Sequence, residues 1–118
     1  MKLLSLDQSS HITGWAIFED NKLIQNGKFD LKSENIGERL WDYRKHIEKL
    51  INEYNPDKVV FEDIQMQGQI NNVMTYRILA EILGVTEEYM VEIKMPYEII
   101  SSNTWKSKLD IKGKARTE

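Results

Sequence analysis

A chain of 118 residues with a formal net charge of −3 is long enough for one hydrophobic core and too short for two. Hydrophobic residues at 41% and charged residues at 30% exclude a disordered or fibrous chain. With no cysteine there is no disulfide framework and no thiolate metal site, so any bound metal takes oxygen or imidazole ligands, which favours hard cations. The opening MKLLSLDQSS has one lysine and an apolar run broken by Ser5 and Asp7. It is neither a signal peptide nor a span, and a cytoplasmic protein with no membrane partner is expected.

Three short apolar runs come first, Lys2 to Leu6, Thr13 to Phe18 and Lys22 to Phe29, each with the content of a strand. Small polar residues from Gln8 to Ile12 link the first two, and Glu19-Asp20-Asn21 makes a tight turn between the second and third. An antiparallel meander is expected. Ile36, Leu40, Tyr43, Ile47, Leu50, Ile51 and Tyr54 then recur at helical steps, with Asn35 and Glu38 in a capping-box pattern. Asn55-Pro56-Asp57 ends that helix, because proline lacks an amide hydrogen and disfavours helical geometry in the residue before it.

Lys58 to Ile64 is β-branched and almost continuously apolar, which predicts a strand at the sheet centre. A polar loop, Gln65 to Gln69, leads to a second helix from about Asn72 to Ile93, whose apolar residues cover more of its circumference and imply two surfaces to bury. Tyr97 to Ser101 is a fifth strand, and Asn103 caps a short helix holding Trp105 and Leu109. The order is βββαβαβα, with no repeat or interdomain linker. Trp15 and Trp41 are assigned to packing.

Two carboxylates stand where burial would be costly. Asp7 follows the run Leu3-Leu4-Ser5-Leu6, and Glu62 interrupts the run from Val59 to Ile64. An ionised carboxylate inside a strand requires a counter-charge or a metal. Asp63 would point to the opposite face from Glu62, so Glu62 is preferred. For one acid alone, a solvated or lysine-paired strand end is an equal reading. If the two meet, a pair of Mg²⁺ ions roughly 3.5 to 4 Å apart could activate a water and stabilise the leaving oxygen of a phosphodiester. Such ions require neither cysteine nor histidine.

LLSLDQSSHITGWAIF resembles the opening hairpin of RuvC-type Holliday-junction resolvases, in which a strand ending in a catalytic Asp is followed by a small-residue turn and a Thr-Gly-aromatic strand. VVFEDIQ resembles the second acid strand of that family, and YEIISSNTWKSKLDIKGKAR the later strand and Trp-Lys region of phage-type members. The resemblance implies an α/β, ribonuclease-H-like fold over residues 1–118, with a mixed five-stranded sheet and helices packed on it. It implies that Asp7 and Glu62 are catalytic metal ligands, that the cofactor is Mg²⁺ (or Mn²⁺) with two ions per complete site, and that the protein cleaves branched DNA such as four-way junctions. It also implies a homodimer, for which the helix from Asn72 to Ile93 is the candidate surface. The family continues into a final helix with an Asp-x-x-Asp pair, so a C-terminal truncation at Glu118 is expected.

Other residues could contact nucleic acid. Lys106, Lys108, Lys112, Lys114 and Arg116, set against only Asp110 and Glu118, make a basic tail on an acidic body. They are the best phosphate contacts by charge, and ordinary surface lysines would look the same. Ser9 and Ser10 could hold the turn near a phosphate, or be ordinary turn residues. His11 could shuttle a proton, or be solvated. Gln65 and Gln67 could reach a groove, or belong to a polar loop. Trp105 could stack on a base, or fill a gap in the core.

Three alternatives compete. A nuclease that processes pre-ribosomal RNA shares the fold and the first acid strand; a non-catalytic nucleic-acid-binding module would need no metal; and actin-like ATPases require two such domains, which the length disfavours.

Overall fold

A computed structural model describes residues 1–64 and 73–101. β1 (Lys2–Gln8), β2 (Ile12–Glu19) and β3 (Lys22–Asp30) form the antiparallel meander. The β2–β3 loop is the pair Asp20-Asn21, both left-handed at φ 51° and 71°, which matches the twist of a two-residue hairpin. α1 (Ile36–Tyr54) starts at Asn35, whose side chain accepts from the Glu38 amide. The Glu38 carboxylate accepts from Ser33 Oγ at 2.8 Å, so the acid fastens the loop ahead of the helix. α1 ends on the left-handed Asn55, whose amide donates to Ile51 O, and Pro56 follows.

β4 (Lys58–Glu62) runs parallel to β1, and α2 (Val73–Glu92) leads to β5 (Tyr97–Ile100), parallel to β4. The strand order is β3-β2-β1-β4-β5. The sequence places β4 at the centre; the central strand is β1, with β4 between it and β5. The reason is connectivity: the hairpin uses one edge of β1 and the α1 crossover returns to its other edge.

The core lies between one sheet face and the two helices. Leu4, Leu6, Ile17, Val59 and Phe61 from the sheet meet Tyr43, Ile47, Ile82 and Met90 from α1 and α2, and all are nearly or fully buried. Trp15 packs as expected, against Tyr54 with ring centroids 5.8 Å apart. Trp41 does not: it is 61% exposed, with the Lys45 ammonium 5.2 Å from its ring centre. Two residues before the buried Tyr43 is about 200° around a helix, which turns Trp41 outward. The helix predicted after Asn103 lies outside the described residues, among which no helix is long and apolar enough to cross a membrane.

Candidate active site

Alternation along β1 divides its side chains between two faces. Leu4 and Leu6 enter the core, and Gln8 reaches Tyr43 and Thr86 on the helices. Leu3, Ser5 and Asp7 therefore take the opposite face. β1 and β4 pair in register from Leu3↔Lys58 to Leu6↔Phe61, and one further step sets Asp7 beside Glu62. Parallel strands lie about 4.8 Å apart, and directly adjacent residues share a face. Glu62 is flanked on its other side by Ile100, and Asp7 pairs with Gly14, which pairs with Lys28. Across the sheet the row reads Ile100, Glu62, Asp7, Gly14, Lys28.

The two acids are not buried as the sequence suggests: Asp7 is exposed and Glu62 half-buried. Both sit at or next to the C-terminal ends of their strands, past the apolar runs that precede them, so desolvation is not what marks them. Their shared position is. Asp63 is exposed and turned away; its carboxylate accepts from the Ile64 amide at 2.8 Å, and its own amide donates to Ile100 O. An open depression beside Asp7 is lined by Ser5, Gly14, Trp15, Ala16, Asn26, Gly27 and Lys28.

Beneath the row, Gln8 Nε2 donates to Tyr43 Oη at 2.7 Å and to Thr86 Oγ1 at 3.1 Å, while Thr86 Oγ1 donates to Ile82 O at 2.7 Å. These bonds tie the end of β1 to both helices. Burial pushes the Tyr43 hydroxyl up to about 12, opposed by its hydrogen bonds with Thr86 and Gln8.

The turn after Asp7 is closed largely by itself. Ser9 Oγ donates to Ile12 O at 2.6 Å and accepts from the Ile12 amide, and Ser10 Oγ lies 3.3 Å from His11 Nδ1. Arg39, only 4% exposed, clamps it from α1 by donating to Ser10 O at 3.3 Å and to Ser33 O at 3.0 Å. Sequence reasoning missed Arg39, although its place within the apolar stripe of α1 was a signal. It also missed Lys28. Gln65, Gln67, Trp105, Lys106, Lys108, Lys112, Lys114 and Arg116 lie outside the described residues.

No group of three or more Asp, Glu, His or Cys converges among the described residues. Two adjacent carboxylates still fit a hard cation such as Mg²⁺, which keeps several waters and binds through one or two carboxylates together with substrate phosphates.

This mixed sheet, three antiparallel strands followed by two parallel ones with both helices on one face, is a ribonuclease-H-like fold. The family model described as crossover junction endodeoxyribonuclease RuvC matches residues 3–118, and the chain belongs to that family. Among solved structures it is similar to Thermus thermophilus RuvC in complex with a Holliday junction substrate, with a TM-score of 0.78 at 14% identity, over 92% of this chain and 69% of that one. The yeast mitochondrial Holliday junction resolvase matches with a TM-score of 0.62 at 14% identity, over 95% of this chain and 55% of that one. The fowlpox virus resolvase, solved with Holliday junction DNA, matches with a TM-score of 0.57 at 16% identity, over 86% and 60%. The chain thus spans between about half and somewhat over two thirds of these relatives. No curated protein matches the sequence.

Proposed function

We propose that the chain carries the first two acids of a divalent-metal-dependent endonuclease that cuts branched DNA such as four-way junctions. The observation that carries this reading is the β1–β4 register, paired through Leu6↔Phe61, whose next step sets Asp7 beside Glu62 on the sheet face away from the helices. Two carboxylates one strand apart repel each other, and a cation shared between them would turn that repulsion into binding energy. A pair of Mg²⁺ ions, or Mn²⁺ in their place, would supply the positive charge that activates a water and stabilises the leaving oxygen of a phosphodiester.

The chain's own part is to hold those oxygens still. The Gln8 bonds fix the end of β1, Arg39 fixes the turn beyond it, and Ser9 and Ser10 set that turn's backbone beside the acids, where a DNA phosphate would pass. The basic residues from Lys106 to Arg116 would add sequence-independent phosphate contacts. A homodimer suits the substrate, since symmetric cutting of a junction takes two sites. Val73, Met74, Tyr76 and Val91 give α2 exposed apolar surface for it, Val73 being 84% exposed.

The test is cleavage of a four-way junction by the native protein in Mg²⁺. Asp7→Asn and Glu62→Gln are expected to abolish cutting and to leave junction binding largely intact. Cutting retained in either variant refutes the metal role, and preferential cutting of structured RNA moves the reading to an RNA-processing nuclease.

A further inference from the structure

β3 is the outer strand, and one irregularity in it decides which way its side chains point. Phe18 pairs with Leu23 and Ile17 with Gln25, so Ile24 has no partner and forms a β-bulge. Without that extra residue Gly14 would pair with Gly27, and Lys28 would face the helices. With it, Lys28 pairs with Gly14, which pairs with Asp7, and all three share the face away from α1 and α2.

Two strand spacings separate Asp7 from Lys28, about 10 Å between backbones. Gly14 stands between them and contributes no side chain; a Cβ placed there would lie 3.9 Å from that of Asp7. The ground between carboxylate and ammonium is therefore open, and a four-carbon stem can reach over it. Lys28 is exposed and makes no ion pair among the described residues, although it lines the same depression as Asp7. A lysine on an edge strand is often merely solvated. Here it is the one cation in a row that otherwise holds two acids, and it faces them across a gap wide enough for an anion.

We propose that Lys28 is a phosphate contact of the site, holding a backbone phosphate of the bound DNA strand over Gly14. The identification of the anion as a DNA phosphate rests on the nuclease reading above; the placement of Lys28 does not.

Four-way-junction binding by the native protein, measured without divalent metal as a function of KCl concentration, tests this apart from catalysis. Each phosphate contact contributes about 0.9 to the slope of log affinity against log salt. Lys28→Met is expected to make that slope shallower by about one contact and to weaken binding several-fold, with Lys28→Arg retaining the native slope. Lys22→Met, at the far end of the same strand, is expected to change neither. A native slope in Lys28→Met, an equal loss in Lys22→Met, or no junction binding by the native protein overturns the proposal. If Asp7→Asn loses cutting while Lys28→Met keeps the native slope, only the lysine assignment falls. If Lys28→Met lowers the slope of a protein that cuts no DNA, only the nuclease reading falls.

Discussion

Gln8 donates to the Tyr43 hydroxyl at 2.7 Å, which places the residue directly after Asp7 under the control of α1. Tyr43→Phe removes that acceptor and the buried hydrogen bond between the Tyr43 and Thr86 hydroxyls, but leaves the Gln8 to Thr86 bond in place. The expected loss is about 1–2 kcal/mol of unfolding free energy, read by denaturant titration. The same change alters the alkaline limb of stability. A hydroxyl raised from 10.0 to about 12 binds its proton more tightly in the folded state, so stability is full below pH 10 and is lost as pH rises toward 12. Stability profiles across that window should fall less steeply for Tyr43→Phe than for the native protein.

Arg39 spends its buried guanidinium on two backbone carbonyls in separate loops, Ser10 O and Ser33 O. A lysine ammonium is a point donor without the planar fork, and it cannot reproduce both bonds from one position. Arg39→Lys and Arg39→Met are each expected to cost about 1.5–3 kcal/mol. Hydrogen exchange should show faster opening of the Leu31 amide, which donates to His11 O across the same junction of loops.

Two glycines should respond in opposite directions. A Cβ on Gly27 would lie 2.8 Å from the ring of Trp15, so Gly27→Ala must displace that ring from its place beside Tyr54. A loss of about 1–3 kcal/mol and a changed tryptophan emission are expected. Gly84, inside α2, has nothing within 4 Å of the same position. There Gly84→Ala should raise stability by about 0.5–1 kcal/mol, because alanine loses less backbone freedom in a helix. Thermal denaturation at one protein concentration compares the pair.

The sequence was most legible where one pattern dominated. The stripe from Ile36 to Tyr54, bounded by Asn35 and Pro56, marked α1 to the residue, and the apolar runs located all five strands to within two residues. Asp7 and Glu62 could be named but not joined, since the β1–β4 register is set by a crossover whose geometry no local pattern encodes. Their apparent burial was misleading because apolar neighbours in sequence need not cover the end of a strand. Lys28 was hidden for a sharper reason: a single bulge at Ile24 reverses the faces of everything beyond it on β3. Trp41 shows the opposite error, an aromatic assigned to packing when its helical phase turns it to solvent.

The shared cation is tested most directly by titrating the metal-free native protein with Mn²⁺, following free ion by its electron paramagnetic resonance signal. Asp7→Asn and Glu62→Gln should each weaken binding by roughly tenfold or more, and the double variant should lose less than the two single losses combined, because both side chains serve one site. Native affinity in either single variant, or fully additive losses in the double variant, would contradict a common metal position for the two acids.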